Sequence, residues 1–360
     1  MKFIDINTEY KSFKKEIDFA IKNIANKGNF ILGKENLLLE NKLKKLTGAK
    51  YCSTVSSGTD GLMLALKTLN LKPTDEIIIP DFTYVSPAEV SAILKYKIKF
   101  VDVDKDTFLI DTLKLKKKIN KNTKVIIAVS LFGQCPDFDK IKKIIKNQKI
   151  TIIEDAAQSL GSKYKNKFSC NIADISVTSF FPTKTLGCFG DGGAIFTNKL
   201  KYQKKILALR NHGQFKKKYH HEIVGFNARL DTLQAAILLV KIKYFKKSIL
   251  NRKKIALIYF DKLKNCNKIQ LPKISKFNES VFAQFTIKTK LRSKLIKIFK
   301  NQKIPFAIYY PKILSEQKAF KQLENNKISK TLTKDIISIP FSAYLKETDQ
   351  TKVIRAIQKL

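Results

Sequence analysis

Between about residues 50 and 200 the chain repeats one pattern, a short apolar run rich in β-branched residues followed by a longer stretch in which apolar and polar positions mix. The runs are YCSTV, EIIIP, IKFVDVD, KVIIAVS, ITIIEDA, ISVTSF and GAIFT. Runs this short and continuous predict strands covered on both faces, because a strand with one wet face would alternate. The segments between them, such as Ser86 to Lys95 and Asp137 to Lys146, read as helices. The alternation predicts an α/β fold with a mostly parallel, doubly wound sheet. Ligands of such sheets sit outside the carboxyl ends of the strands, so polar residues at strand exits are the first candidates for chemistry.

Beyond Arg229 the period changes. LDTLQAAILLVKIKYFKKSILNRKKIALIYFDKL places apolar residues three and four apart and predicts one long helix. After it, SVFAQFTIK and IPFAIYY suggest strands of a smaller carboxyl-terminal α/β domain with helices between them. We expect a large domain over residues 1–245 and a small domain over residues 246–360. No internal repeat or low-complexity linker is evident.

Composition alters this picture little. A chain of 360 residues, 44% hydrophobic, can build two cores. Its net charge of +40 raises nucleic-acid binding as a reading. Of 70 basic residues, however, only Arg210, Arg229, Arg252, Arg292 and Arg355 are arginine, leaving 65 lysines spread through every segment. Base readout and bidentate phosphate clamps favour arginine, so no nucleic-acid partner is expected. What survives is a positive field that favours anionic substrates. The five cysteines are odd in number, with no CxxC pair and no metal-ligand spacing, which argues for a reducing cytoplasm and against a disulfide framework or a metal site. No stretch has the apolar length of a signal peptide or a membrane span, and we expect a soluble protein without a membrane partner.

Three groups fall at strand exits. In VSSGTDGLMLALKTL a strand ends near Val55 and a helix begins near Thr59 or Asp60; small residues at such a start form an anion site, although Ser, Thr and Asp are also ordinary helix caps. In IIEDAAQS, Glu154, Asp155 and Gln158 close an apolar run, and a buried carboxylate there needs either a structural hydrogen bond or a ligand cation. In TSFFPTKTLGCFGDGGAIFTN, Lys184 follows SVTSFFP, where Pro182 ends strand pairing. A lysine in this chain is ordinarily a solvated amine. One that converges with a carboxylate and a phosphate cup supplies the parts of pyridoxal phosphate chemistry, in which the amine forms a Schiff base with the cofactor aldehyde and an Asp keeps the pyridine nitrogen protonated.

The phrases SSGTDGLMLAL, DEIIIPDFTYVSPAE, VDVDKDTFLID, SLFGQCPDFDKI, IIEDAAQSLGSKY, TSFFPTKTLGCFGDGGAIFTN and NHGQFKKKYHHEIVGFNARLDTLQAAIL resemble the DegT/DnrJ/EryC1/StrS family of sugar aminotransferases over nearly the whole chain. The resemblance implies the fold of type I pyridoxal phosphate-dependent transferases, with a seven-stranded sheet in the large domain, and a homodimer with active sites at the subunit interface. It implies Lys184 as the Schiff-base lysine, Asp155 opposite the pyridine nitrogen and Gln158 beside the ring hydroxyl. Gly58, Thr59 and Ser179 match phosphate-binding positions, Tyr84 the aromatic that stacks on the ring, and Asn227 the residue that reaches the phosphate of the neighbouring subunit's cofactor.

Within the family, FGQCPDFD, the Lys184 motif and the HGQ and YHH strings are most similar to members that aminate UDP-2-acetamido-2-deoxy-3-oxo-D-glucuronate for bacterial surface polysaccharide. L-glutamate is the amino donor that this implies. The run AIYYPKI departs from the family, with Tyr309 where His often stands and Tyr310 after it, and so leaves the fine sugar specificity open, a 4-keto sugar included. Clustering in QFKKKYHHEIVGFNARL suggests that Arg229, Lys216 to Lys218, and His220 or His221 bind a nucleotide diphosphate or sugar carboxylate, the bland reading being a solvated basic loop. Related dehydratases carry His where Lys184 stands, and a retired sugar-sensing member would not need Lys184, Asp155 and Gln158 together.

Overall fold

The computed structural model describes residues 1–360. All seven apolar runs are strands: β1 (Tyr51–Val55), β2 (Glu76–Pro80), β3 (Lys97–Val101), β4 (Thr123–Val129), β5 (Thr151–Asp155), β6 (Ile175–Ser179) and β7 (Gly193–Thr197). They form one sheet in the order β1-β7-β6-β5-β4-β2-β3. Strand β7 runs antiparallel to its neighbours β1 and β6, and the other pairs are parallel. The continuous apolar runs follow from cover on both faces: Ile77 and Ile79 enter one apolar cluster while Ile78, between them, enters another. Each such side chain contributes roughly 1.5–3 kcal/mol by leaving water.

Helices α1 (Ile6–Lys27), α2 (Lys34–Thr47), α3 (Gly58–Thr68), α4 (Ser86–Ile93) and α5 (Phe138–Ile144) belong to this part. The expected helix from Ser86 stops at Ile93 because Lys95 turns left-handed, with φ 60°. The one expected from Asp137 starts with that residue as its cap, accepting from the Lys140 N–H at 3.1 Å. The long helix is α6 (Thr232–Leu263). Phe245 packs with the large-domain strands, whereas Ile255, Tyr259 and Leu263 pack in a separate cluster. No helix is long and apolar enough to cross a membrane.

The small carboxyl-terminal sheet differs from expectation. Its strands are β8 (Phe285–Lys288) and β9 (Ile336–Ile339), paired antiparallel, with α7 (Arg292–Asn301) and α8 (Glu347–Gln358) beside them. Only the second half of SVFAQFTIK pairs. The Phe282 and Ala283 carbonyls go to the buried Arg252 guanidinium, at 3.2 and 3.5 Å, and the Val281 N–H goes to Gly133 O at 3.0 Å, which leaves no ladder partner. IPFAIYY is not a strand either: Pro305 has no N–H, and the run touches the sheet at a single bridge, Ala307 to Ser338. It delivers Tyr309 and Tyr310 to a cavity instead.

Two buried aspartates tie the chain beyond Tyr310 back to the large domain. Asp81, at the exit of β2, accepts from the Ser315 N–H (2.8 Å), Ser315 Oγ (2.7 Å) and Asn326 Nδ2 (2.8 Å). Asp102, at the exit of β3, accepts from the Ser329 N–H (2.7 Å) and Oγ (2.6 Å), the Ile328 N–H (3.1 Å) and Lys114 Nζ (2.6 Å). Leu314 and Leu332 consequently join the large-domain core.

Candidate active site

Along the carboxyl edge of the sheet lies a cavity of about 370 Å³, lined from both domains. One end is the start of α3. Ser57 caps it, its Oγ accepting from the Asp60 N–H at 3.0 Å, and the N–H groups of Gly58 and Thr59 find no partner in the chain. Gly58 presses against the end of β6, where an added Cβ would come within 2.9 Å of Ser179 Cβ. Thr59 and Ser86 share a hydroxyl bond of 2.7 Å, while the buried Thr83 Oγ1 has no partner. Free amides at a helix start, flanked by hydroxyls, fit a phosphate.

Asp155 closes β5 at the same edge. It is 6% exposed and accepts a single hydrogen bond, from the Ala157 N–H at 3.1 Å. Burial raises its pKa to about 6, against the opposing pull of that bond and of Lys184; Glu154 adds a smaller push upward. Lys184 leaves β6 through the turn after Pro182. Its N–H bonds Phe181 O at 2.8 Å, and Gly187 must be glycine because a Cβ would lie 2.4 Å from Pro182 O. The Lys184 amine makes no hydrogen bond or ion pair within the chain. Desolvation holds its pKa below that of an ordinary lysine, partly offset by Asp155. By contrast, the buried Lys241 is paired with Glu9 at 2.7 Å. An amine left without a counter-ion in a desolvated site is suited to nucleophilic attack and to carrying a proton.

Gln158 bridges the domains, its Oε1 accepting from the Phe132 N–H (2.7 Å) and its Nε2 donating to Tyr310 Oη (3.3 Å). Burial drives the Tyr310 hydroxyl pKa up. Tyr84 lines the cavity while remaining 55% exposed, an aromatic face with space for a ring against it.

The cavity thus gathers Gly58, Thr59, Tyr84, Asp155, Gln158, Ser179, Lys184, Tyr309 and Tyr310. It does not gather Asn227, Arg229, His220 or His221. Arg229 donates to Asn227 Oδ1 through Nε (3.0 Å) and Nη2 (2.6 Å) and to Asn211 Oδ1 (3.1 Å), and with Lys216, Lys217 and Lys218 it lines a separate open recess. A ring nitrogen of His221 lies 2.7 Å from His212 O, and His220 is exposed. Sequence reasoning missed several polar lining residues, among them Ser57, Ser86, Thr183, Asp191, Thr83 and Gln284. Thr83 follows a strand exit, a signal that was available. Gln284 is the one polar position in VFAQF, a weaker signal because a Gln at a strand start is common.

A model of the DegT/DnrJ/EryC1/StrS aminotransferase family matches residues 11–358. The chain is 43% identical, over 99% of its length and 99% of the relative's, to the UDP-2-acetamido-2-deoxy-3-oxo-D-glucuronate aminotransferase of Pseudomonas aeruginosa. Among solved structures it superposes on a DegT DnrJ EryC1 StrS aminotransferase from Brucella abortus with a TM-score of 0.96 and 34% identity, covering 100% of this chain and 99% of the other. NtdA from Bacillus subtilis with bound cofactor PMP gives a TM-score of 0.92 at 26% identity, covering 100% and 85%.

Proposed function

We propose that this chain, which belongs to the DegT/DnrJ/EryC1/StrS aminotransferase family, transfers the amino group of L-glutamate to C3 of UDP-2-acetamido-2-deoxy-3-oxo-D-glucuronate, for bacterial surface polysaccharide such as lipopolysaccharide O-antigen. The enzyme is a nucleotide-sugar transaminase and its cofactor is pyridoxal 5'-phosphate. The residues present fit that group: free amides and an unpartnered hydroxyl for a phosphate, an uncovered aromatic for a ring, a buried carboxyl and an unpaired amine. When bound, the cofactor accepts the amino group and withdraws electrons from the carbon that gains or loses a proton. Lys184 would anchor it and then carry that proton, Asp155 would hold a proton at the ring nitrogen, and Gln158 would stand at the ring hydroxyl. Gly58, Thr59 and Ser179 would hold the phosphate, and Tyr84 would cover one face.

The observation that carries this reading is the convergence on one cavity of an amine without a counter-ion and a carboxyl with one hydrogen bond, below a helix start with free N–H groups. The substrate assignment leans on the 43% identical relative. Tyr309 in the cavity wall, where the family often has His, keeps amination of a 4-keto nucleotide sugar as the second reading. Arg229, His220 and His221 bind anionic parts of the substrate across a homodimer interface, and Asn227 reaches the partner's phosphate. Support for this comes from their place outside their own cavity, Arg229 lining a recess with the exposed Ile31 and Leu32. All five cysteines are unpaired, in keeping with a reducing cytoplasm.

The test is to assay glutamate-dependent amination across a panel of UDP- and dTDP-linked keto-sugars, following 2-oxoglutarate. The UDP-linked 3-keto-hexuronate should react best. A clear preference for a 4-keto sugar would move the substrate assignment, and a protein that takes up no cofactor and releases no 2-oxoglutarate would end it.

A further inference from the structure

Four buried side-chain atoms in the chain lack a hydrogen-bond partner: Glu76 Oε2, Thr83 Oγ1, Arg252 Nε and Gln284 Oε1. Two are accounted for locally. Glu76 Oε2 faces Lys99 Nζ at 3.1 Å as an ion pair, and Arg252 Nε, though itself unpaired, belongs to a guanidinium whose Nη1 donates to Phe282 O and Ala283 O outside the cavity. The other two line the cavity from opposite domains. Thr83 lies beside the phosphate cup. Gln284 stands on the small-domain wall with Tyr309 and Tyr310, where the chain supplies no cation; the only cationic side chain lining the cavity is Lys184.

The Gln284 side-chain amide makes no hydrogen bond within the chain, and its Oε1 is buried without a donor. A buried carbonyl left unmatched is destabilising, a cost that an apolar side chain of the same reach would avoid. The backbone that carries it is held on both sides. The guanidinium of Arg252 grips the two carbonyls just before it, and Gly133 presses on the same backbone so closely that a Cβ there would come within 2.7 Å of Phe282 N and 2.8 Å of Ala283 N. The Phe132 N–H, next to Gly133, bonds Gln158 Oε1, which ties the loop packed against this backbone to the rest of the site. An unpaired polar group at the wall of a reaction cavity, carried on a firmly held backbone, is built for a ligand.

We propose that the Gln284 amide hydrogen-bonds an oxygen of the bound substrate, donating through Nε2 and accepting through Oε1 where that oxygen is a hydroxyl, and that it is a specificity-determining residue of the transamination. This rests on the aminotransferase reading above. The oxygen belongs either to a carboxylate of the amino donor or to the sugar, and the two half-reactions separate these sources.

The experiment uses cofactor-loaded Gln284→Met, which keeps length and removes both hydrogen bonds. The absorbance change of the bound cofactor is followed with L-glutamate alone, and then in the opposite direction with the UDP-linked 3-keto-hexuronate. The expected result is a 10- to 100-fold weaker apparent affinity in one half-reaction, the other unchanged, and a melting temperature equal to or above that of the wild type. In Gln284→Glu the weakened half should fall further if the partner oxygen is a carboxylate, through charge repulsion, and partly recover if it is a hydroxyl. Wild-type parameters in both halves would overturn the proposal, as would equal losses in both with a lowered melting temperature, the mark of a structural residue. If the wild type itself fails to respond to L-glutamate, the transaminase reading falls with it; if only Gln284→Met is indistinguishable from wild type, that reading stands and this one alone is lost.

Discussion

Glu154 and Asp155 are consecutive carboxylates on β5, yet they face opposite sides of the sheet and meet opposite environments. On the Glu154 side the chain supplies everything: Ser130 Oγ (2.9 Å), Ser169 Oγ (2.7 Å), the Cys170 N–H (2.9 Å) and Ser176 Oγ (2.9 Å) donate, with Cys135 Sγ at 3.9 Å. On the Asp155 side it supplies one N–H and a lysine amine that stops short of an ion pair. Burial is similar, 0% and 6% exposed, so depth does not separate structure from function here. What separates them is whether the fold completes the hydrogen bonds or leaves them for something else to complete. Asp81 and Asp102, also at strand exits, fall on the Glu154 side of this divide.

The largest effect should come from the amine that completes the Asp155 side. Lys184→Ala should lower single-turnover proton transfer by about 10,000-fold, the upper end for a positioned general acid–base group, with folding little changed because the amine bonds nothing in the chain. Stopped-flow absorbance with L-glutamate measures it. A variant within tenfold of wild type would break the comparison outright.

Swapping each carboxylate for its amide sharpens it. Glu154→Gln turns one acceptor oxygen into a donor facing donors and should cost about 3 kcal/mol in urea unfolding with an unchanged slope. Asp155→Asn should leave stability intact or improved while turnover falls about 100- to 10,000-fold. Opposite outcomes would exchange the roles assigned to the two residues.

The same difference predicts a pH signature in the cofactor-free protein. The folded-state pKa of Asp155 stands at about 6 against 3.8 for the free group. Between those values the unfolded chain has released a proton that the folded chain keeps. The contribution is therefore fully present below pH 4 and lost as pH rises through 6, by up to about 3 kcal/mol. Asp155→Asn, which mimics the protonated form, should remove the slope, so the stability difference between the two proteins isolates it from other titrations. A pH-independent difference would mean that Asp155 is already ionised and paired in the folded chain.

How much of this was legible in the sequence follows from how local each signal is. The seven large-domain strands announce themselves because cover on both faces demands unbroken apolar runs. Lys184, Asp155 and the α3 start sit where any doubly wound sheet places ligands. The small-domain strands were harder. IPFAIYY and IISI carry the same apolar signature, and only the fold decides that the second pairs with Phe285–Lys288 while the first turns into the cavity. Nor does any local pattern separate Asp155 from Asp81 and Asp102. Lys114 apart, the side chains that saturate those two come from Ser315, Asn326 and Ser329, more than 200 residues further on. Gln284 left only a faint signal for the same reason, since its lack of a partner is a property of everything packed around it.

The smallest effect should come from Gly58, where the fold leaves room for a ligand and none for a methyl group. Alanine suits helical backbone better than glycine by roughly 1 kcal/mol, and Gly58 is the first residue of α3, without a left-handed φ that would demand glycine. Against that gain, the new Cβ would lie 2.9 Å from Ser179 Cβ, so the two edges of the phosphate cup must separate by several tenths of an ångström. The cost therefore falls on what the cup holds. Gly58→Ala should bind pyridoxal 5'-phosphate about tenfold more weakly, near 1.4 kcal/mol, with cofactor-free unfolding little changed. Absorbance titration of the stripped protein reads the first and urea denaturation the second. A variant that loses stability but keeps cofactor affinity would place Gly58 with Glu154, among the residues that serve the fold alone.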